Sequence, residues 1–284
     1  MKKLSWTLAA VAAAGGVLLI LLLPPAPVRL DTQHDLGINT VAGAFHIHST
    51  RSDGAGDKAA IAAAAARAGL RFIILTDHGD GTRPSDPPEY LDQVLCIDAV
   101  EISTDQGHYV ALGMSRAPYP LGGASEAVAE DVRRLGGFGI AAHPDSPKPD
   151  LRWTDARARI DGIEWLNADS EWRNETRRAL VEAGIAYFIR PAAALATLLD
   201  RPPTLDRWDR LAASRRIVAL AGADAHGGIG TRAEDGTRSA IPGIPGYEAS
   251  FRTFSNRVIL PRDLTGDPAA DARAVIDAIR QGQV

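Results

Sequence analysis

Short apolar runs of strand length alternate with helical segments along most of this 284-residue chain. The run over residues 42–48 precedes an alanine-rich helical pattern over 58–68, which Gly69 closes before a second run over 71–76. Further strands are predicted at residues 100–103, 109–114, 138–142, 162–166 and 217–223, with helices near 125–135, 174–183, 205–214 and 271–280. Such alternation predicts one α/β domain, barrel-like by its length of about 245 residues.

The N-terminal segment has the features of a membrane anchor. Lys2 and Lys3 precede an uncharged apolar run over residues 4–23, which as a helix would span about 30 Å, the thickness of a bilayer core. Because positive charge precedes the run, the N-terminus is expected in the cytoplasm and the rest outside. We therefore expect a signal anchor over residues 1–23, a linker over 24–40 that contains His34, and a catalytic domain over 41–284 on the periplasmic or extracellular side.

A cleaved signal peptide is the alternative interpretation of this segment, and it would make the protein secreted. Its flanking charges would be the same, but no small-x-small cleavage site is visible before the Pro-rich stretch that begins at Pro24. A lipoprotein anchor is excluded, because the only cysteine, Cys96, lies far beyond the apolar run.

Composition removes several classes of protein. A single cysteine cannot form disulfide frameworks, cysteine-based zinc fingers or iron–sulfur clusters, so a metal site here must use nitrogen and oxygen ligands. The chain has 31 basic and 35 acidic residues, and only four of the basic ones are lysines. Duplex nucleic acid is therefore not an expected partner, because phosphate-tracking surfaces carry clustered positive charge.

Six of the seven histidines lie at the ends or beginnings of apolar runs, and carboxylates accompany them. An isolated histidine is usually just a hydrogen-bonded side chain, but a set placed in this way converges at the carboxyl-terminal rim of a barrel. The H-x-H and D-x-H spacings also place each pair on one side of its strand. The candidate metal ligands are His46, His48, Asp53, His78, Glu101, His108, His143, Asp224 and His226.

In order and spacing these motifs resemble those of the polymerase and histidinol phosphatase (PHP) family, over roughly residues 41–232. The resemblance implies a metal-dependent phosphoesterase on a distorted (β/α)7 TIM-like barrel, here with one N-terminal transmembrane helix. It implies two to three divalent ions: one held by His46, His48, Glu101 and Asp224, a second bridged by Glu101 to His108 and His143, and a third held by Asp53, His78 and His226.

Mixed imidazole and carboxylate ligands suit Zn²⁺, Mn²⁺ or Fe²⁺. A metal-bridging hydroxide is the expected nucleophile, because coordination brings the pKa of water from 15.7 towards about 7. Glu101, Asp224 and His143 are therefore expected to support catalysis through the ions that they hold. Ser49 is expected to be a supporting or structural residue and Cys96 a core residue.

The expected substrate is a phosphorylated small molecule, either a phosphomonoester or a nucleotide. Arg51, Lys148 and Arg232 are candidates for binding its phosphate, because each follows a motif that carries ligands. The Gly- and Pro-interrupted stretch over 227–248 is long enough to form a lid or binding loop.

Two other functions fit the same motifs. One is an amidohydrolase-like enzyme that cleaves C–N or C–O bonds with the same metals. The other is a non-catalytic metal- or ligand-binding module on the membrane. The sequence gives no expectation about protein partners.

Overall fold

The computed structural model of the protein describes residues 38–200, 203–232 and 238–284, together with residues 6, 13, 15–17, 20 and 23–25. Most of the predicted anchor and linker, His34 included, lies outside the described residues. Among the helices that the described residues form, none is both long enough and apolar enough to span a membrane.

The strands of the described chain are short, as in most α/β domains. They are β1 (Thr40–Ile47), β2 (Phe72–Leu75), β3 (Glu89–Leu91), β4 (Val94–Asp98), β5 (Val100–Thr104), β6 (Gly107–Leu112), β7 (Phe138–Ala141), β8 (Gly162–Asn167), β9 (Val218–Ala225), β10 (Gly228–Arg232), β11 (Arg238–Pro242) and β12 (Asn256–Ile259).

Helices follow β1, β6, β8, β11 and β12. They are α1 (Lys58–Ala68), α2 (Ser125–Arg134), α3 (Ala168–Asn174), α4 (Arg177–Tyr187), α5 (Pro191–Ala196), α6 (Thr204–Ala212), α7 (Tyr247–Thr253) and α8 (Pro268–Arg280). The Asp57 side chain caps α1 by accepting the backbone N–H of Ala60 at 2.8 Å, and Gly69 ends the helix with a φ of 81°.

One mixed sheet organises the molecule. Its strands follow the order β3-β4-β2-β1-β9-β8-β7-β6-β5, with β12 also paired to β1. The neighbours from β4 to β7 in this order pair in parallel, whereas β3, β5, β6 and β12 run antiparallel to at least one neighbour. The parallel strands have nearly continuous apolar sequences because both of their faces are covered.

Hydrogen bonds also join the segment after β2 to the start of β5. The backbone N–H of Ala99 donates to the carbonyl of Leu75 at 2.8 Å, and that of Glu101 to Asp77 at 3.2 Å. The N–H of Gly79 returns a bond to the carbonyl of Glu101 at 3.0 Å. β5 is therefore bonded to the continuation of β2 as well as to β6.

Of the three apolar clusters that hold the sheet and its helices together, one packs Ile102 and Tyr109 against α2, and the other two involve β1. In one of these two, side chains of seven strands pack with α8, and Phe45, Phe72 and Val275 are almost fully buried within it. In the other, Ile61 of α1 packs against β1 and β2 through residues such as Ile73. Burial of each such side chain contributes about 1.5–3 kcal/mol.

The sequence-based elements agree with this fold in type and approximate position. The helix over 58–68 is confirmed at both ends, and the predicted strands appear as β1, β2 and β5–β9. The predicted helix near 174–183 is wrong at its start, because α3 ends at Asn174 and α4 begins at Arg177. The predicted loop over 227–248 contains the antiparallel hairpin β10–β11, and β3, β4, α5, α7 and β12 were not expected.

Candidate metal centre

The nine side chains predicted as ligands lie together at one end of the sheet. They are carried by the carboxyl ends of parallel strands and their following loops, by β6, which runs antiparallel to β7 and therefore begins at that end, and by β5, which is bonded to the segment after β2. Asp53, His78, His143 and His226 lie in the loops, His46 and Asp224 lie in β1 and β9, His48 directly follows β1, and Glu101 and His108 lie in β5 and β6.

Two carboxylates face the two histidines at the end of β1. Glu101 Oε2 lies 3.2 Å from His46 Nε2 and 3.3 Å from His48 Nε2. Asp224 Oδ1 lies 3.6 Å and 3.3 Å from the same two nitrogens. All four residues are buried. These are the four residues that the resemblance assigns to the first metal.

The second oxygen of Glu101 faces another pair of histidines. Glu101 Oε1 lies 2.9 Å from His108 Nδ1 and 2.8 Å from His143 Nε2. The other ring nitrogen of His143, Nδ1, lies 2.9 Å from the carbonyl oxygen of Leu151 and donates to it. One carboxylate thus stands between two groups of histidines, as a bridging ligand would.

The remaining three residues lie nearer to solvent. Asp53 Oδ2 is 3.3 Å from His226 Nε2, and Asp53 Oδ1 is 3.8 Å from His78 Nε2. The side chains of Asp53 and His78 are 34% and 36% exposed, although His78 Nδ1 also lies 3.2 Å from Oε2 of the buried Glu101. Asp53 also lies 3.4 Å from His48 Nδ1, so this outer group shares a histidine with the inner one.

The geometry suits metal ions. Nδ1 of His46 lies 2.6 Å from Glu164 Oε1, so it carries the proton and donates it, and the lone pair of Nε2 then faces Glu101 and Asp224. Nε2 of His46 is buried and has no hydrogen-bond partner. A lone pair facing two carboxylates is unfavourable unless a cation, either a proton or a metal ion, lies between them. Ligand atoms converge within 4.8 Å in four groups: His46, His48 and Asp224; His46, Glu101 and His143; His48, Asp53 and His78; and His78, Glu101 and His108.

Electrostatics within the centre strongly favour the ionised carboxylates. Burial would raise the pKa of Glu101, but His46, His108 and His143 hold it well below its usual value. Burial acts in the same direction on Asp224, and neighbouring histidines likewise hold its pKa well below the usual range. The inner group therefore keeps ionised carboxylates away from bulk water.

The pKa values of three histidines of the centre are shifted in the opposite direction, upwards. Burial alone would lower the pKa of His46, but the carboxylates around it, Glu164 first, raise it well above the usual value. The pKa values of His143 and His226 are raised by their carboxylate neighbours in the same way. Protons therefore compete with metal ions for these nitrogens.

Three of the nine residues have left-handed backbone conformations. The φ angles are 64° at His46, 29° at His143 and 44° at Asp224. Such conformations cost about 1–3 kcal/mol each for non-glycine residues and are concentrated at functional sites. The β1–β9 pairing also shifts register between Phe45 and Ile47. His46 and His48 therefore reach the same carboxylate from an irregular strand, not through the regular alternation that the H-x-H spacing predicts.

Sequence reasoning missed Glu164, which lies in the middle of β8. Its Oε1 accepts from His46 Nδ1 at 2.6 Å, and its Oε2 accepts from the backbone N–H of His143 at 2.6 Å and from Asn167 Nδ2 at 2.9 Å. Gly222 makes room for it, because a Cβ at that position would lie 2.0 Å from Glu164 Oε1. A carboxylate inside a buried strand is the signal that identifies it.

Two further residues support the loops that carry the ligands. Asp77 accepts the N–H of Ser49 at 2.7 Å, the hydroxyl of Ser49 at 2.7 Å and that of Ser52 at 2.6 Å. The Tyr247 hydroxyl lies 2.8 Å from the carbonyl of His48 and 3.1 Å from that of His226. Ser49 thus has a supporting contact, and Cys96 is buried, which raises the pKa of its thiol to about 11.

The candidates for phosphate binding have different surroundings. Arg51 is paired with Asp86 and with Asp98, the latter at 3.0 Å, so its charge is already neutralised. Lys148 is exposed, in the segment that follows His143. The backbone of Arg232 ends β10, and its side chain, like the others over residues 229–242, lies outside the described part of the structure. The prediction that these residues bind substrate stays a prediction.

No protein-family model matches the chain, and no curated protein matches it either. Among solved structures, the chain is similar to a proposed metal-dependent phosphoesterase from Bifidobacterium adolescentis, with 12% identity and a TM-score of 0.43 over 65% of this chain and 87% of that one. A two-domain protein from Bacteroides vulgatus with a predicted PHP-like metal-dependent phosphoesterase gives 16% identity and a TM-score of 0.46, over 92% of this chain and 66% of that one.

The lesion-specific endonuclease Q from Pyrococcus furiosus is also similar, with 19% identity and a TM-score of 0.38, over 66% of this chain and 49% of that one. With scores below 0.5, these likenesses are too distant to assign a function. The functional argument depends on the chain's own residues.

Proposed function

We propose that the protein is a metal-dependent phosphoesterase of the PHP family. The observation that supports this most directly is the buried, unpartnered Nε2 of His46 facing Glu101 and Asp224, with six further histidine and aspartate ligand candidates around them. The bonds that join the end of β2 to β5 and the pairing of β5 with β6 support a distorted (β/α)7 barrel. The residues at its rim are those that the sequence motifs assign to metal binding.

Two to three divalent ions would be held by the nine residues, with His46, His48, Glu101 and Asp224 as the innermost group. When bound, such ions supply Lewis acidity and acidify water for attack on phosphorus. The protein contributes the rest: Glu164 fixes the ring of His46, the carbonyl of Leu151 fixes that of His143, and burial excludes bulk water from the inner group. A preorganised, desolvated centre of this kind stabilises charge that develops during phosphoryl transfer.

The proposed substrate is a phosphorylated small molecule. A cavity of about 690 Å³ adjoins His78, which is large enough for a ligand of nucleotide size. Arg83 and Arg116 lie in its wall, where Arg83 is paired with Asp86 and Asp98 and Arg116 donates to the carbonyl of Thr82 at 2.7 Å. The proposed location is the extracytoplasmic side of the membrane, supported by the lysines and the apolar run over residues 4–23.

Metal analysis combined with a phosphate-release screen tests the proposal. Purified full-length protein is depleted of metal, reloaded with Zn²⁺, Mn²⁺ or Fe²⁺, and assayed on phosphomonoesters, nucleotides, amides and a DNA duplex. Phosphate release is expected only after reloading, and Asp224→Asn and His143→Ala are expected to abolish it. Asp263→Asn, at an exposed position, serves as the matched control.

Three results would contradict the proposal. Turnover of amides without phosphate release would favour the amidohydrolase function. Tight metal binding without any turnover would favour a binding module. Full activity after exhaustive chelation would exclude the metal centre from the reaction.

A further inference from the structure

One helix of the domain exposes an apolar stripe. On α4 and the residues that follow it, Val181, Ile185, Phe188 and Ile189 are 62%, 57%, 78% and 48% exposed, respectively. Their spacing of four, three and one residues places them along one side of the helix, while Ala183 and Ala186 on the other side are buried. A monomeric domain surrounded by water gains nothing from such a stripe.

The stripe lies beside the point where the N-terminal apolar run ends. Nη1 of Arg190, the residue directly after Ile189, donates to the carbonyl oxygen of Pro24 at 2.6 Å. Of the large apolar side chains that are exposed in the described residues, three others belong to the apolar run itself: Trp6, Val17 and Ile20. Pro24, which directly follows the run, therefore contacts the residue that directly follows the stripe.

Charge around the stripe suits an anionic surface. Residues 173–190 contain four arginines and two glutamates. Arg177 and Arg178 begin α4 and are exposed, with Arg178 paired to Glu182 at 2.7 Å, and Arg190 lies at the other end of the helix. Helices that lie in a membrane interface combine an apolar side with flanking arginines in this way.

We propose that α4 docks onto the lipid bilayer, with Val181, Ile185, Phe188 and Ile189 inserted at the level of the headgroups. This inference depends on the membrane-anchored location proposed above. An anchor that ends at Pro24 holds Arg190 at the membrane surface, and docking of α4 then fixes the orientation of the domain relative to the bilayer. The occupant of the stripe is therefore lipid and not a second copy of the chain.

A fluorescent label at residue 188 tests the docking. The only native cysteine, Cys96, is 3% exposed, so Phe188→Cys is the one reactive thiol of the folded protein. The full-length variant is labelled with an environment-sensitive dye and reconstituted in vesicles of phosphatidylcholine and phosphatidylglycerol. We expect a blue shift of the emission and quenching by brominated acyl chains. Tyr119→Cys, at an apolar residue that is 51% exposed on another element, should give neither effect.

The outcomes separate the anchor from the docking. If the labelled protein floats with vesicles but its label at residue 188 behaves like the one at 119, docking is wrong and the anchor stands. If the protein does not float with vesicles, both the anchor and the docking of α4 are wrong. Phosphate release measured on the same sample tests only the proposed enzymatic activity. Ile185→Asp in the Phe188→Cys background should return the label to water. Crosslinking between two copies at residue 188, with no quenching by lipid, would overturn the lipid occupant.

Discussion

Glu164 shows how a residue that touches no predicted metal can control the centre. Because its two oxygens accept from the His46 ring and from the backbone N–H of His143, it sets the orientation of one candidate ligand and the backbone position of another. Removing a carboxylate that orients a metal-binding histidine lowers metal affinity about 10–100-fold. We expect Glu164→Gln to have this effect, measured by titration of the metal-depleted protein.

The control for this prediction is Glu171→Gln. Glu171 is also buried, but its Oε2 accepts from the backbone N–H of Asp200 at 3.2 Å, outside the centre. This variant should bind metal as the natural protein does, even if it is less stable. Equal metal affinity in both glutamine variants would show that Glu164 does not orient His46.

The predictability of the site follows from where its residues lie. Most of the nine candidate ligands could be found because they follow or begin an apolar run, where parallel strands bring their ends together, whereas Glu101 lies inside its run and was found as one of the ordered motifs. Glu164 could not be found in that way, since it lies inside a strand and acts only on side chains that the fold brings to it. The pairing of Arg51 with Asp86 and Asp98 could not be predicted either, because these partners come from distant segments of the sequence.

Among the helices, α7 has the closest connection to the centre. The Tyr247 hydroxyl accepts from the N–H of Gly56 at 3.2 Å and reaches the carbonyls of His48 and His226, which belong to two ligand-bearing segments. Tyr247→Phe leaves these buried groups without that partner, which costs about 1–3 kcal/mol. We expect a decrease of that size in the free energy of unfolding, measured with urea, while Tyr119→Phe at an exposed site should change it little. A decrease no larger than the control's would contradict this role.

The start of α8 carries a pH-dependent contribution to stability. Asp271 accepts from the N–H and hydroxyl of Thr265, both at 2.9 Å, and from Gly266 and Tyr90 at 2.8 Å and 2.6 Å. Burial opposes ionisation, yet these bonds lower the pKa of Asp271 below its usual value. Its stabilisation is therefore complete above the unfolded pKa of about 3.9 and is lost as pH falls through the lower folded value.

Asp271→Asn should remove this dependence. At pH 7 the variant should be less stable by about 1–3 kcal/mol, because charged acceptors are lost from a buried network. Between pH 5 and about pH 3 the difference from the natural protein should shrink, because the aspartate loses its advantage as it is protonated. Urea unfolding at several pH values measures this difference in the free energy of unfolding, with Asp263→Asn as the exposed control. A difference that is constant with pH would contradict the assignment.

The elements that could be predicted are those with local signals. α1 has an Asp cap, an alanine-rich interior and a closing glycine, so its bounds were visible in the sequence. β4 was not predicted, because only Ala99 separates it from β5. No turn signal in the sequence marks the boundary between the two strands, which is defined by their pairing within the sheet. The β10–β11 hairpin lies in a stretch of glycine and proline that resembles a loop, and its strand character comes from mutual pairing.

At the scale of the whole molecule, metal binding and folding are coupled, because the ligands come from six strands or their loops and cannot meet in an unfolded chain. An ion at 100 times its dissociation constant should stabilise the fold by about 2.7 kcal/mol.

The raised pKa values of His46, His143 and His226 set the sign of the pH effect, because these rings must be neutral to bind metal. The metal-induced increase in Tm should therefore be largest above the raised pKa values of these histidines, decrease as the pH falls through them, and vanish below the ordinary histidine pKa of about 6.5. Thermal unfolding with and without metal measures it, and Asp224→Asn should show no increase at any pH. An increase that persists unchanged into acid would mean that the stabilising ions bind elsewhere, because no site built on these histidines could retain them.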